Sequence, residues 1–230
     1  MEHTASETFL RGFEVVGGLV WVTALAVALR RRRPFVLGVF VACNLMIFWD
    51  WIFNSKWFFN VTYDDRLVPL WTVQGVEQPV AAALAYVAFY FFVLHGMVAG
   101  AATLDARLGP RAQYPLIYLA AALYVLVFEA IFVGQGVWTY HQREAFKLHG
   151  VAWSNAFFNA HLILASYALL RLFRRWGAID DAGPAPRGEA AWKELVLAVA
   201  AISTGFFLAF VVQTLWYIAA QPWTPGPRPF

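Results

Sequence analysis

The chain has 230 residues, of which 61% are hydrophobic and only 13% are charged, and its mean hydropathy is +0.58. A soluble domain carries about 25% charged residues, so this composition excludes a soluble domain, a disordered chain and a nucleic-acid-binding module. The net charge of +3 says little about partners, because topology places Lys and Arg in membrane proteins. We therefore expect an integral membrane protein in a lipid bilayer, with no nucleic-acid partner.

Six apolar runs are long enough to cross a bilayer, which takes roughly 20 apolar residues as a helix. We expect an all-α fold, a polytopic transmembrane bundle that forms a single domain over residues 1–230. The connection between the second and third helices leaves room for a seventh short element. The predicted spans are about 13–29, 34–53, 80–102, 115–135, 151–173 and 194–220.

Basic residues are concentrated in three of the predicted loops, at 30–33, 103–114 and 174–193. Loops rich in Lys and Arg stay in the cytoplasm, so this pattern predicts that both termini are non-cytoplasmic. Most of the basic residues are Arg and the chain is rich in Ala, which suggests a bacterial source and hence a bacterial cell membrane.

The connection 54–79 is long for a loop between helices, and it carries several aromatic residues among charged ones. This composition is typical of the membrane–water interface, which favours a loop anchored by its aromatic side chains. A second interpretation is a lid over a cavity. Both remain open at the level of sequence.

Ionisable groups inside a membrane span are costly and usually functional, and two carboxyl side chains stand out inside the predicted spans. Asp50 lies near the end of the second span, and Glu129 lies in the second half of the fourth. In apolar surroundings we expect at least one of them to stay protonated at neutral pH, as a general acid must. The alternative is a structural, hydrogen-bonded carboxyl group.

Other polar and aromatic side chains fall at the same depth, in the half of the bundle away from the cytoplasm. Asn155 and Asn159 are four residues apart and share a helix face, so we expect them to face one cavity with Asp50 and Glu129. The amides have an alternative role in hydrogen bonds between helices, and the aromatic residues in the interfacial belt. The further substrate-binding candidates at this depth are Glu77, Gln213, Trp49, Trp51, Tyr124 and Trp216.

Neither a metal site nor a cofactor site is expected. Cys43 is the single cysteine, and the five histidines form no pair with metal-ligand spacing. The chain also lacks a glycine-rich phosphate loop and a serine nucleophile motif.

The segment Ala42-Cys43-Asn44-Leu-Met-Ile-Phe-Trp-Asp50-Trp-Ile-Phe resembles the second helix of small integral-membrane terpene cyclases. These are enzymes of fungal meroterpenoid and indole-diterpene biosynthesis, with bacterial relatives in drimane-type pathways. The family has a Cys-Asn pair shortly before Trp-Glu-Phe, and the resemblance implies that Asp50 is the acid and that Asn44 binds substrate. The family's last helix also carries an acid, whereas here that helix has Gln213 and no carboxylate. We infer that Glu129 takes the second acid's role.

These residues suit an acid-initiated cyclisation, in which protonation of an alkene or epoxide creates a carbocation in a dry cavity. We expect a membrane-bound terpene cyclase, of isomerase or lyase type, that acts on a hydrophobic polyprenyl or prenylated small molecule. The alternatives are a proton-coupled transporter or lipid-binding membrane protein, and another lipid isomerase or hydratase.

Overall fold

A computed structural model describes residues 5–55, 58–141, 147–179 and 185–220. Within these ranges the chain is an all-α bundle. Its helices are α1 (Glu7–Arg31), α2 (Pro34–Leu45), α3 (Ile47–Asn54), α4 (Val80–Tyr86), α5 (Phe92–Ala99), α6 (Ala101–Leu108), α7 (Gln113–Gly134), α8 (Trp153–Arg175) and α9 (Gly188–Ala220), and a π-helical turn (Val87–Phe91) joins α4 to α5.

Six helical segments are long and apolar enough to cross a membrane, which confirms the six predicted spans. Helices α2 and α3 together form the second span, and α4, the π-turn and α5 form the third. The first span begins at Glu7, earlier than predicted, because Ser6 caps the helix and Arg11 bonds Glu7 at 2.8 Å. An N-cap and an i,i+4 ion pair extend a helix into polar sequence.

The spans differ in how much of their surface lies inside the protein. Helices α1 and α7 are mostly exposed, whereas α8 and the second span are more than half buried. Two glycines allow helices to pack closely against α9: Gly38 on α2, and Gly205 on α9 itself, which faces α8. A Cβ at Gly38 would lie 2.6 Å from the Leu195 carbonyl oxygen, and one at Gly205 would overlap the Ser166 hydroxyl oxygen. Small residues at such crossings bring helix backbones together.

Three short antiparallel ribbons lie at one end of the bundle. They pair β1 (Val61–Tyr63) with β4 (Trp138–Tyr140), β2 (Pro69–Val73) with β3 (Val76–Pro79), and β5 (Lys147–Leu148) with β6 (Val151–Ala152). The last two are hairpins whose two-residue turns, Gln74-Gly75 and His149-Gly150, have positive φ at both positions. That conformation matches the twist of paired strands. The element expected in the 54–79 connection is therefore β-structure and not a seventh helix.

At the opposite end, an ion pair fixes α6 against α8. Arg171 donates to both oxygens of Asp105, at 2.9 and 2.5 Å, and Gln113 also donates to Asp105. The two hydrogen bonds from Arg171 hold the pKa of Asp105 below its usual range. Of the linker predicted at 177–190, residues 180–184 lie outside the described ranges.

Candidate functional site

A cavity of about 100 Å³ lies inside the bundle at the end that carries the β-ribbons. A single buried water requires roughly 10–15 Å³, so the cavity accommodates a group of several heavy atoms. Its wall is mostly aromatic, and its polar atoms come chiefly from two carboxyl groups and their partners. The phenylalanines of the wall are Phe13, Phe53, Phe59, Phe89, Phe128 and Phe158.

The first carboxyl group is that of Asp50, which is 2% exposed in α3. Its Oδ1 atom accepts a hydrogen bond from the Tyr86 hydroxyl. Its Oδ2 atom accepts from Asn54 Nδ2 at 2.6 Å and from the Tyr63 hydroxyl at 3.4 Å. Asn54 also donates to Gln78 Oε1 at 3.3 Å, which ties the amide to the start of the third span. Asp50 thus lies in a neutral cradle of hydroxyl and amide groups.

The π-helical turn places two tyrosines at the cavity. Tyr86 and Tyr90 are stacked with ring centroids 5.9 Å apart, and the Tyr90 hydroxyl donates to Asn159 Oδ1. Short π-helical turns inside α-helices recur at functional sites, where they change the direction of side chains. Here the two stacked rings make hydrogen bonds to different elements: Tyr86 donates to Asp50 on α3, and Tyr90 donates to Asn159 on α8.

The second carboxyl group is that of Glu129, which is 6% exposed in α7. Its Oε2 atom accepts from the Trp138 indole at 2.9 Å and from the Tyr140 hydroxyl at 2.8 Å. Its Oε1 atom accepts from Asn155 Nδ2 at 2.8 Å. Asn155 in turn accepts from Asn159 Nδ2 at 2.8 Å. The two amides four residues apart on α8 therefore connect Glu129 to Tyr90.

The two carboxyl groups differ in what their partners can do. Indole and amide N–H groups only donate, whereas a tyrosine hydroxyl both donates and accepts. Each oxygen of Glu129 faces a group that only donates, either Trp138 or Asn155. The Oδ1 atom of Asp50 bonds the Tyr86 hydroxyl, which can reverse its hydrogen bond. Asp50 can therefore carry a proton on Oδ1 and keep its only partner there. On Glu129, the Tyr140 hydroxyl can likewise accept a proton from Oε2, but that oxygen also accepts from the Trp138 indole, and Oε1 accepts from Asn155.

The ribbon of β1 and β4 covers the cavity. Antiparallel register pairs Val61 with Tyr140 and Tyr63 with Trp138, and side chains opposite each other lie on one face of a sheet. All four line the cavity, while Thr62 and Thr139 on the other face are exposed. The 54–79 connection thus contributes part of the cavity wall, as a paired ribbon rather than a free loop.

Burial affects the two tyrosines of this ribbon. It raises the pKa of Tyr63 well above its ordinary value, and the nearby Asp50 charge adds to that shift. The pKa of Tyr140 is raised in the same way by burial and by Glu129. Both hydroxyls therefore keep their protons at neutral pH and serve as hydrogen-bond donors to the carboxyl groups.

Four of the residues expected at one cavity do line it: Asp50, Glu129, Asn155 and Asn159. They come from three different spans, and the alternating direction of the helices brings them to the same depth. Seven other candidates from the sequence do not line this cavity. They are Asn44, Trp49, Trp51, Glu77, Tyr124, Gln213 and Trp216.

Helix rotation explains the placement of the two tryptophans beside Asp50. Successive residues of an α-helix are about 100° apart, so with Asp50 directed into the cavity its neighbours point sideways. Trp49 is 55% exposed and lines an apolar groove on the outside of α3. Trp51 is half-buried and lies outside the cavity wall.

The remaining five candidates contact other parts of the bundle. Asn44 accepts from the Trp21 indole at 2.8 Å, so it connects α2 to α1. Glu77 is exposed, and the neighbouring Gln78 is the residue that reaches the Asp50 cluster. Gln213 is buried in α9, away from the cavity. Tyr124 and Trp216 are partly exposed rings that pack on Phe89 and Trp153.

Sequence reasoning missed the tyrosines that hold the carboxyl groups. Tyr86 and Tyr90 are four residues apart in a predominantly apolar span, and that spacing is a signal that could have found them. Trp138 and Tyr140 gave no such signal, because an aromatic pair near a span end is typical of the interfacial belt. Only the pairing of β4 with β1 directs them into the cavity.

Among the described residues, no group of three or more His, Cys, Asp and Glu side chains could hold a metal ion. No family model, curated protein or solved structure matches this chain. The resemblance to membrane terpene cyclases therefore depends on the segment 42–53 alone, and a functional assignment depends on the geometry of the cavity.

Proposed function

We propose that this protein is a membrane-bound terpene cyclase that starts the cyclisation of a polyprenyl or prenylated substrate by protonating an alkene or an epoxide. The observation that carries the proposal is the cavity itself. Two carboxyl groups, each held by its own set of neutral partners, share one cavity with a largely aromatic wall inside a membrane bundle. A carbocation reaction needs an acid, a base and a dry, shaped site.

Asp50 is the acid in this proposal. With an alkene substrate, the proton on Oδ1 passes to the terminal alkene carbon and the π electron pair forms the new C–H bond. With an epoxide, the proton passes to the epoxide oxygen, which keeps the electron pair of the C–O bond that opens. Either reaction leaves a tertiary carbocation. Tyr86 then donates to the carboxylate left on Asp50. Positioned proton transfer of this kind contributes typically about 10²–10⁴ in rate.

The aromatic wall and Glu129 act on the cation. Ring faces stabilise a cation by about 0.5–2 kcal/mol each, and the rings of Phe89 and Phe128, 4.7 Å apart, line the same wall as Glu129. After successive alkenes have attacked the cation, Glu129 removes a proton from the neighbouring carbon and a C=C bond forms. The product is an isomer of the substrate. One proton leaves Asp50 and one arrives at Glu129, so substrate and product have the same composition. Glu129 then gives up that proton and Asp50 takes one up before the next turnover.

The direct test is product formation by the purified protein in lipid nanodiscs. Polyprenyl and prenylated aromatic substrates are supplied, and the expected result is a product of unchanged mass. A hydratase would add the mass of water, and a transporter or lipid-binding protein would give no product.

Asp50→Asn is the decisive variant for this activity. It keeps the shape of the side chain but removes the transferable proton, so we expect turnover to fall by at least about 100-fold. The matched control is Asp65→Asn, an exposed aspartate at the same end of the bundle, which should leave turnover unchanged. Substantial product from folded Asp50→Asn protein would contradict the role of Asp50.

A further inference from the structure

A second, larger space lies on the outside of the same bundle. An apolar groove of about 490 Å³ runs between α9 and the second span. Of the described residues that line it, Ser203 alone carries a hydroxyl group, and the rest are hydrophobic. The groove lies within two spans, and its outer residues Trp49 and Phe207 are 55% and 63% exposed. It therefore opens toward the hydrocarbon region of the bilayer.

Phe53 separates this groove from the cavity, because its side chain lines both. The ring packs on Phe158 of the cavity wall at 4.7 Å between centroids. On the groove side it packs on Phe206 at 4.9 Å and Phe210 at 5.6 Å. Phe53 is 3% exposed, so this one packed ring lies between the two spaces.

The sizes of the two spaces indicate what they hold. A single buried water takes roughly 10–15 Å³, so the cavity beside the carboxyl groups, at about 100 Å³, has room for about seven to ten heavy atoms. A polyprenyl chain has more carbon atoms than that and needs an apolar site for its remainder. The groove is nearly five times as large, apolar and adjacent.

We infer that the groove between α9 and the second span binds the isoprenoid chain of the substrate and is its entrance from the bilayer, with Phe53 as the partition. The inference rests on the proposed function, since it assigns the tail of that same substrate. The chain enters laterally, and its reactive end passes Phe53 to reach Asp50. The size of the side chain at position 53 then sets how far the substrate reaches into the cavity.

The test is photolabelling, which does not depend on turnover. The protein in nanodiscs is irradiated with a farnesol derivative that carries a diazirine, and labelled residues are identified by peptide mass spectrometry. We expect labels at the groove, on Trp49 and Phe207, and we expect excess farnesol to suppress them. A label that spreads equally over the exposed faces of α1 and α7, or that farnesol does not displace, would overturn the inference because it would report bulk lipid contact.

A matched pair of variants on α9 sharpens the result. Ser203→Trp fills the groove and should lower the displaceable label about tenfold, a loss of about 1.4 kcal/mol in binding. Thr204→Trp places the same ring next to it, outside the groove, and should leave the label unchanged. Equal labelling in the two variants would refute the groove.

Phe53→Leu shortens the partition and should shift label from the groove to cavity residues such as Phe158. An unchanged label pattern in this variant would show that Phe53 is not the partition. Displaceable labelling without any product would contradict the proposed cyclase activity, while the groove would still be an isoprenoid-binding site. Product without displaceable labelling would contradict the groove alone.

Discussion

Replacing each carboxyl group by its amide should affect the two sites differently, because their partners differ. In Glu129→Gln, one of the two terminal atoms becomes an NH₂ group. That group then faces either the Trp138 indole or the Asn155 amide, and both only donate. If Asn155 is turned over, its amide nitrogen faces the amide nitrogen of Asn159, which now donates to Asn155 Oδ1. If Asn159 is turned over as well, its Oδ1 atom faces the Asn155 backbone carbonyl oxygen, which accepts from Asn159 Nδ2 at 2.8 Å. Each orientation therefore leaves at least one polar contact unsatisfied.

The magnitude follows from one lost buried hydrogen bond. An unsatisfied buried donor costs about 1–3 kcal/mol, so Glu129→Gln should lower the free energy of unfolding by about that amount. In Asp50→Asn, the new NH₂ group donates to the Tyr86 hydroxyl oxygen, while the carbonyl oxygen still accepts from Asn54. That exchange keeps each partner, so its cost should be about 1 kcal/mol or less.

The assay is thermal unfolding of the two variants and the wild type in one detergent. For a domain of this size, each kcal/mol shifts the midpoint by roughly 2–4 °C, so Glu129→Gln should unfold about 2–12 °C below the wild type. Asp50→Asn should unfold close to the wild type. Equal shifts in the two variants would refute the argument that the partners distinguish an acid at one site from an acceptor at the other.

Two further predictions concern packing and pH. Gly205→Ala places a Cβ against Ser166 and should destabilise the protein by about 1–3 kcal/mol in thermal unfolding. The control is Gly96→Ala, which should not lower the stability because a Cβ there meets nothing within 4 Å. Equal losses of stability in the two variants would disprove the close contact between Gly205 and Ser166. Because Arg171 holds the pKa of Asp105 below its usual range, the stability from this pair is fully present above about pH 4 and is lost as the pH falls through the lowered value. The midpoint difference between wild type and Asp105→Asn should therefore shrink on acidification, and parallel curves from about pH 6 to about pH 3 would contradict this.

How far the sequence predicts the site depends on the kind of signal each residue gives. A carboxyl group in an apolar span is costly, so Asp50 and Glu129 stand out from the amino-acid sequence alone. Asn155 and Asn159 stand out because i,i+4 spacing places them on one helix face. Both signals are local to one helix. The rotation of each helix about its axis is not local, which is why Trp49 points to the bilayer-facing groove rather than to the cavity.

The sequence by itself determined the fold class and the six spans, because the bilayer imposes the length and apolar composition of every crossing helix. It also singled out Asp50 and Glu129 as carboxyl groups inside two of these spans. Tertiary structure alone decided their partners. Tyr63 and Trp138 reach the cavity only because β1 and β4, which lie far apart in the chain, pair over it. Tyr86 reaches Asp50 from a different span. Pairings of this kind depend on packing between segments distant in sequence, and no local pattern encodes them.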